Sequence, residues 1–297
     1  MEIIFLGTAG MQPTKERNLI SILVKNKNEN MLIDCGEGTQ RQFRVAEEKP
    51  CKLNRILISH WHGDHVYGLL GLMKYLSVNE YNQTLEIYGP KGIKKYIKNM
   101  LDCSADKSNV KLQIHEIVKE GKIFENKEIS INAFKLKHSV EALGYIIQEK
   151  DKRKINLGYL KKFGLKQHPL LGKLQRGEDI VWNGKKIKAK DATIIQPGKK
   201  VSFILDTGYD AKFVKYIKDS DVLVSESTYL SNEENKARNY GHMTAKDAAT
   251  LAKKGNVKKL ILTHFSQRYK EEDEIKKEAQ KIFKNSICSE DFMKVIV

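Results

Sequence analysis

The sequence contains few cysteines and no long apolar run. Its four cysteines, Cys35, Cys51, Cys103 and Cys288, form no C-x-x-C pair, a pattern that excludes a disulfide framework and a zinc ribbon. No apolar stretch approaches the roughly eighteen residues that a membrane-spanning helix needs. The N-terminus also predicts a strand instead of a charged leader with an apolar segment behind it. We therefore expect an unexported protein, without membrane association, that works in a reducing cytoplasm.

Negative charge is scarce relative to positive charge, most of all in one segment. The 297 residues carry a formal net charge of +16, and residues 150–200 contain fifteen Lys or Arg against four Asp or Glu. Lysines that neutralise phosphates release counterions, so a nucleic-acid backbone would be a suitable acidic partner. A generally lysine-rich composition or a solvated face is the alternative. The length allows two domains, although α/β chains of this size often form one.

Four potential metal ligands lie within six residues, in the motif H-x-H-x-D-H that follows the apolar run Ile56–Ile58. Imidazole nitrogens and carboxylate oxygens suit borderline-soft divalent ions such as zinc. His60 and His62, two residues apart at a strand end, point the same way. Asp64 and His65 follow a glycine bend and can face a second ion. A lone histidine would more often be inert, but this spacing predicts a metal site.

Other predicted strands also end at single candidate ligands. His138 comes just after one strand, Asp206 follows a buried strand, and His264 follows another. A carboxylate at the position of Asp206 can bridge two cations with its two oxygens. Ligands from such distant segments converge only if their strands end at one edge of a sheet sandwich. We therefore expect these three residues to join the H-x-H-x-D-H motif.

The H-x-H-x-D-H motif after a strand resembles that of the metallo-β-lactamase-fold hydrolases, and further segments resemble one subgroup, ribonuclease Z. These segments are the P-x-K-x-R-N loop with Pro13, Lys15, Arg17 and Asn18, the D-x-G-E-G-T-Q segment from Asp34 to Gln40, and L-T-H-F-S-x-R-Y from Leu262 to Tyr269. Asp34 can fix the tautomer of a ligand histidine by accepting its hydrogen bond. The family usually has H-E-A-T where this chain has Ser225-Glu226-Ser227-Thr228, without the histidine.

The resemblance covers nearly the whole chain and implies its architecture. The implied fold class is α/β, a four-layer αββα sandwich in which residues 1–297 form a single domain. Residues 150–200 would be an inserted, projecting basic arm that binds tRNA, although only Gly164–Pro169 partly matches the Gly-Pro-rich turn of such arms. The residues of the apolar segment Val66–Leu76 predict a core helix, whereas the resemblance implies that this helix contributes to a homodimer interface.

The resemblance also implies the site and its reaction. His60, His62 and His138 would hold one Zn²⁺, Asp64, His65 and His264 a second, and Asp206 would bridge them, with Mn²⁺ as an alternative ion. The implied reaction removes the 3′ trailer from precursor tRNA, with Asp64 as general base and His242 as proton donor. Glu226 would orient His242. The expected substrate-binding residues are Pro13, Lys15, Arg17, Asn18, Thr39, Gln40 and Arg268.

Two other functions remain open from the sequence. The same fold carries hydrolases of thioesters, lactams and arylsulfate esters, and fold alone does not exclude them. The loop from Pro13 to Asn18, the segment from Asp34 to Gln42 and the basic insertion favour a tRNA substrate. The chain could also be a nucleic-acid-binding protein with structural metals, but structural zinc sites are closed and usually cysteine-rich.

Overall fold

The computed structural model describes residues 1–105 and 108–297. The chain separates into two compact units. The first comprises residues 1–124, 131–147 and 200–297, and the second comprises residues 125–130 and 148–199. The second unit overlaps the segment that the sequence marks as a basic insertion.

The regular elements are numbered in chain order. The strands are β1 (Glu2–Gly7), β2 (Ser21–Asn26), β3 (Glu29–Ile33), β4 (Arg55–Leu57), β5 (Thr84–Pro90), β6 (Lys111–Ile117), β7 (Gly121–Glu125), β8 (Ile129–Leu136), β9 (Ala142–Glu149), β10 (Lys152–Ile155), β11 (Ile180–Trp182), β12 (Lys185–Ile187), β13 (Thr193–Gln196), β14 (Lys200–Ile204), β15 (Val222–Glu226), β16 (Lys259–Thr263), β17 (Ser286–Cys288) and β18 (Lys294–Ile296). The helices are α1 (Thr39–Val45), α2 (Gly63–Val66), α3 (Gly68–Val78), α4 (Ile93–Asp102), α5 (Leu157–Lys161), α6 (Leu170–Gln175), α7 (Ala189–Ala192), α8 (Val214–Ile217), α9 (Glu234–Tyr240), α10 (Ala245–Lys254) and α11 (Asp273–Gln280).

Two seven-stranded sheets form the framework of the first unit. One has the strand order β18-β1-β2-β3-β4-β5-β6, and the other has the order β17-β16-β15-β14-β9-β8-β7. In the first sheet, β3, β4, β5 and β6 run parallel. In the second, β14, β15, β16 and β17 run parallel. Parallel strands present their carboxyl ends at one edge, and that edge is where the candidate ligands follow.

Helices cover the outer face of each sheet, because their apolar residues recur at helical spacing. In α3, Leu69, Leu72 and Leu76 are buried in the apolar cluster of the first sheet. Helix α10 contributes small buried residues to the cluster of the second sheet. The inner faces meet, since the Tyr145 hydroxyl of β9 donates to the Ile58 carbonyl after β4 at 2.7 Å. The predicted αββα sandwich is confirmed.

The second unit has a small apolar core of its own. Antiparallel pairs β10–β13 and β11–β12 surround the short helices α5, α6 and α7. Leu160, Leu174 and Ile187 are fully buried among them. The sequence showed little apolar periodicity here, because the core residues come from short elements separated by turns.

Throughout the described residues, the helices are too short or too polar to span a bilayer.

Candidate metal centre and active site

The strand ends deliver the candidate ligands to one place. His60 and His62 lie in the loop after β4, and Asp64 and His65 lie in α2, which begins directly behind them. His138 lies two residues beyond the end of β8. Asp206 and His264 follow β14 and β16, two strands of the parallel part of the second sheet. The convergence predicted from the sequence is therefore present in the fold.

The first group of ligand atoms comes from three histidines and Asp206. His62 Nδ1 lies 2.9 Å from His60 Nε2 and 3.2 Å from His138 Nε2. Asp206 Oδ2 lies 3.8 Å from His60 Nε2 and 4.0 Å from His138 Nε2. All four side chains place a ligand atom within 4.8 Å of the others. Three imidazoles and a carboxylate form a donor set suited to a borderline-soft divalent cation.

The second group shares Asp206 with the first. Asp206 Oδ1 lies 3.3 Å from His65 Nε2 and 3.1 Å from His264 Nε2. Asp64 Oδ2 lies 3.4 Å from each of the same two nitrogens. The two oxygens of Asp206 therefore face different groups, as a carboxylate that bridges two ions would.

Three atoms at the centre are buried without a hydrogen-bond partner in the described part of the chain. They are His65 Nε2, His264 Nε2 and Asp206 Oδ1. An unpaired buried polar atom costs about 1–3 kcal/mol, and three of them aimed at one point are hard to sustain without a common partner. A divalent cation supplies that partner for all three. The residues present therefore fit a metal centre.

Hydrogen bonds behind the ligands fix their orientation. Asp34 Oδ2 accepts from His65 Nδ1 and from the Ser59 hydroxyl, both at 2.6 Å. The Gly241 carbonyl lies 3.0 Å from His138 Nδ1, and the Thr228 hydroxyl lies 3.0 Å from His264 Nδ1. In each of these three histidines Nδ1 is engaged in a hydrogen bond, so that Nε2 points at the centre. The role that the sequence suggested for Asp34 thus has a specific partner, His65.

Close backbone approach also shapes the centre. Asp34 and His264 have φ values of 56° and 60°, a left-handed conformation that is uncommon for residues other than glycine. A Cβ added to Gly10 would lie 2.4 Å from His264 Cε1, so Gly10 packs directly on that ring. The next residue, Met11, donates its backbone N–H to Asp64 Oδ2 at 2.7 Å. The turn after β1 therefore supports both Asp64 and His264.

His242 and Glu226 form a pair beside the second group. His242 Nδ1 lies 3.1 Å from Glu226 Oε1 and 3.8 Å from Asp206 Oδ2. Glu226 is itself held by the Thr207 N–H and the Thr228 hydroxyl, each at 2.6 Å. The fixed carboxylate accepts a hydrogen bond from His242 Nδ1, so Nε2 is the ring nitrogen that can contact other groups.

The charges of the centre shift the pKa values of its side chains. Burial lowers the pKa of His60 well below its ordinary value, which keeps its nitrogen lone pair free to bind a cation. Burial alone would raise the pKa of Asp64, but the ring charge of His65 and hydrogen bonds from the flanking histidines hold it well below its ordinary value. Burial would lower the pKa of His242, yet the Glu226 carboxylate raises it to about 9.

A cavity of about 1010 Å³ opens over the centre. Its floor contains His62, Asp64, Asp206 and His264, and its wall contains side chains of the 228–229, 238–242 and 266–268 segments. The volume is at the upper end of the range of small-ligand sites, about 300–1,000 Å³. The cavity is therefore large enough to hold a ligand of considerable size above the centre.

The seven expected substrate-binding residues, all described by the structure, are not all at this cavity. Arg268 lines it, whereas Pro13 and Lys15 are exposed on their loop. Arg17 is buried, and its guanidinium contacts the Glu272 carboxylate and the Tyr269 carbonyl.

The other three hold neighbouring loops. Asn18 Nδ2 donates to the Glu37 carbonyl at 2.9 Å, the buried Thr39 hydroxyl donates to the Gly36 carbonyl at 2.6 Å, and Gln40 packs against Gly71. Arg17 and Asn18 thus tie the loop before β2 to neighbouring segments, whereas Thr39 and Gln40 make contacts at α1 and α3.

Several residues of the cavity wall were not predicted from the sequence. Lys137, Tyr209, Tyr229, Arg238 and Tyr240 line it but belong to no motif of metal ligands. Lys137 and Tyr240 each lie within two residues of a site histidine. That proximity is the signal that could have identified them.

Two helix-covered sheets with a paired His/Asp cluster at their strand ends define a hydrolase of the metallo-β-lactamase fold. The family model described as Anti-Pycsar protein Apyc1 matches residues 1–153, the half that contains the H-x-H-x-D-H motif and His138. Similarity to ribonuclease Z extends over the full length. The ribonuclease Z of Bacillus velezensis is 40% identical over 308 residues, covering 100% of this chain and 99% of that protein.

The ribonuclease Z of Streptococcus equi subsp. equi is 39% identical over 310 residues and is covered, like this chain, at 100%. Among solved structures, human tRNase Z, short form, has a TM-score of 0.74 and 26% identity, covering 100% of this chain and 99% of that one. The chain belongs to the ribonuclease Z family and is an endoribonuclease.

Proposed function

We propose that this protein removes the 3′ trailer from precursor tRNA, leaving a 3′ hydroxyl on the tRNA and a 5′ phosphate on the trailer. The observation that carries the proposal is the double ligand group that shares Asp206 at the floor of the cavity. The full-length similarity to ribonuclease Z proteins supports the substrate class. Similarity to the human tRNase Z supports it independently through the fold.

The centre is proposed to bind two Zn²⁺ per subunit, with Mn²⁺ as an alternative. His60, His62 and His138 would hold one ion, Asp64, His65 and His264 the other, and Asp206 would contact both. Such a pair supplies a more acidic water and neutralises charge on the phosphate. Within the described residues, the atoms of His65, His264 and Asp206 that lack a hydrogen-bond partner support this assignment, because a bound cation would satisfy them.

Asp64 and His242 divide the proton transfers between them. The attacking water forms a bond to phosphorus and gives a proton to the Asp64 carboxylate, while the bond from phosphorus to the 3′ oxygen breaks. His242 donates a proton from its ring to that leaving oxygen. Glu226 holds Nδ1 of His242 at 3.1 Å and orients the ring for this donation. Exchange with solvent then returns both side chains to their starting states.

Residues 150–200 are proposed to bind the tRNA away from the cut. Eleven of the sixteen net positive charges of the chain fall within this segment. Its small apolar core supports the exposed lysines on short elements. A folded element with this charge suits a phosphate backbone, whose binding is dominated by charge and counterion release.

We also infer a homodimer that works in the cytoplasm. The helical region around α2 and α3 supports a subunit contact, because Tyr67 and Val78 are 64% and 68% exposed there. All four cysteines are free thiols, which suits a reducing compartment. Light scattering of the wild type and of Tyr67→Glu tests the dimer, and an unchanged monomeric mass in both would contradict it.

The test of function is to incubate zinc-loaded protein with a precursor tRNA that carries a 3′ trailer and to map the cut to the nucleotide. We expect one cut after the unpaired nucleotide that follows the acceptor stem, with a 5′ phosphate on the released trailer. Asp64→Asn is the matched control for contaminating nucleases. Intact precursor together with hydrolysis of a thioester or a simple phosphodiester would instead favour a small-substrate hydrolase of the same fold.

A further inference from the structure

The cavity wall contains three tyrosines, and they differ in what covers their rings. Tyr229 is only 6% exposed, and the Arg268 guanidinium lies over its ring at 4.9 Å. The Tyr209 hydroxyl accepts from Lys254 Nζ at 3.3 Å, and Arg238 lies 6.0 Å from its ring. Tyr240, in contrast, is 62% exposed, and no ring or cation of residues 1–105 and 108–297 stacks on it.

The backbone that bears Tyr240 is held in place despite this exposure. Tyr240 is the last residue of α9, and Gly241 ends the helix in a left-handed conformation with φ of 70°. The Gly241 carbonyl lies 3.0 Å from His138 Nδ1, and the His242 N–H donates to the Ala237 carbonyl at 2.8 Å. The Gly241 carbonyl thus ties the helix end to a candidate ligand, and the His242 N–H closes the last turn of α9.

Helix α9 is also anchored to α10. Arg238 donates to both carboxylate oxygens of Asp247 at 2.9 and 3.0 Å and to Glu234 at 2.9 Å. Asp247 belongs to the capping box that begins α10 with Thr244. Because helix α9 is fixed in this way, the backbone holds Tyr240 at the cavity wall, and only the two side-chain torsions of its ring remain to be ordered by a stacked base. Stacking on it would cost little conformational entropy.

We propose that Tyr240 is the stacking platform for the unpaired base immediately upstream of the cut, a binding role that rests on the proposed function. Bases of single-stranded RNA that leave a helix are held by stacking on aromatic side chains. Tyr240 and His242 are separated by one residue, so their Cα atoms are at most about 7.6 Å apart. This spacing puts Tyr240 within reach of the base of the nucleotide whose 3′ oxygen would receive the proton of His242.

The test removes the same contact in two ways, by a substitution of Tyr240 in the protein and by an abasic nucleotide in the substrate. Tyr240→Leu removes the aromatic face and keeps an apolar side chain, whereas Tyr240→Phe keeps the face and removes only the hydroxyl. The substrates are precursor tRNAs with a normal nucleotide or an abasic nucleotide, either upstream or downstream of the cut. Metal content and circular dichroism establish that each variant is folded and loaded.

We expect Tyr240→Leu to lower kcat/KM on the normal precursor roughly 5- to 150-fold, mostly through KM, the range given by stacking on one base. Tyr240→Phe should retain most of the wild-type value. The upstream abasic substrate should lower the wild-type kcat/KM by a similar factor and lower that of Tyr240→Leu little further, because the contact is already lost.

If the losses in kcat/KM caused by Tyr240→Leu and by the upstream abasic nucleotide multiplied independently, the proposal would be overturned. A Tyr240→Leu enzyme with wild-type kinetics would overturn it as well. Coupling to the downstream instead of the upstream abasic position would overturn the assignment of the base. If the wild type left every precursor intact, the proposed function itself would fail, a result that differs from all of these.

Discussion

Asp64 and His242 face the same cavity, but their contacts predict different consequences of substitution. Asp64 belongs to the second ligand group, whereas His242 lies in a separate set of possible ligands with Glu226 and His264, and its contact with Glu226 suits a proton donor. Asp64→Asn should abolish measurable turnover and release one ion, because the residue is both ligand and proton acceptor. His242→Asn should lower turnover about 10²- to 10⁴-fold, the usual contribution of a positioned acid, with both ions retained.

Metal analysis of the purified variants, together with single-turnover cleavage of precursor tRNA, separates these outcomes. Glu226→Gln should give an intermediate loss of turnover, since it keeps the hydrogen bond to His242 but removes the charge. Loss of zinc from His242→Asn would show that this histidine is a ligand, and our assignment of it would be wrong.

Asp291 predicts a pH dependence of stability that arises away from the centre. Its carboxylate accepts from the Thr8 hydroxyl and the Asn18 N–H, each at 2.8 Å, and from Gln42 Nε2 at 3.1 Å. Burial nevertheless raises its pKa to about 6 from an ordinary value of 3.8. The native state therefore binds more protons than the unfolded state between these values, and this contribution to stability is lost as pH rises through about 6.

Asp291→Asn should remove that part of the pH dependence, worth about 3 kcal/mol at most for a two-unit shift. An amide preserves the shape and can still accept from the backbone of Asn18. Denaturant unfolding of the wild type and the variant at several pH values between about 4 and 7 measures the difference. Parallel curves for the two proteins would mean that Asp291 keeps an ordinary pKa when folded.

At the level of residues, the convergence of the candidate ligands was easier to predict than the surroundings of the expected substrate-binding residues. His60, His62, Asp64 and His65 lie in one short motif, so the loop after β4 and the first turn of α2 are enough to bring them together. Arg17 shows the limit, because a charged loop residue gives no sign that it will be buried on Glu272. That partner lies far away in sequence, and only the folded chain brings the two together.

Among the elements, α10 offers a direct test of how a helix start supports the site. The Thr244 hydroxyl accepts from the Asp247 N–H at 3.2 Å, and the Thr244 N–H donates to the Asp247 carboxylate at 3.0 Å, a complete capping box. Thr244→Ala should lower the free energy of unfolding by about 0.5–2 kcal/mol, whereas Thr244→Ser should retain most of it. Denaturant titration of both variants gives the comparison.

A second readout connects this helix to the reaction. Thr244 lies two residues after His242, so fraying of α10 should also lower turnover of Thr244→Ala without loss of metal. If Ala and Ser variants were equally stable, the capping box would contribute nothing and the start of α10 would be fixed by packing alone.

The predictability of the elements followed the range of the interactions that form them. The strands that precede His60, Asp206 and His264 were predicted because apolar runs bounded by polar turns are local signals. The C-terminal strands β17 and β18 were not predicted. They are three residues each, and they form only by pairing with strands distant in sequence, which no local pattern reveals.

The whole molecule has its positive charge concentrated in residues 150–200, and this distribution predicts a specific salt dependence. Each lysine that neutralises a phosphate contributes to the slope of log affinity against log salt concentration, by about 0.7–0.9 per contact. Reversing three lysines of this segment should therefore weaken precursor binding and reduce the slope by about 2. The lysines chosen are exposed: Lys185, Lys188 and Lys190.

A matched control has to change the net charge equally while leaving this segment intact. Three exposed lysines of the first unit, at or near α4, meet that condition: Lys91, Lys94 and Lys95. Charge reversal there should change the long-range attraction of tRNA, which affects association rates, but should leave the slope nearly unchanged. Binding is measured with catalytically inactive Asp64→Asn protein at several salt concentrations, and kcat of the active variants at saturation should be unaltered. Equal loss of slope in both sets would mean that net charge, and not the segment 150–200, determines how the tRNA is held.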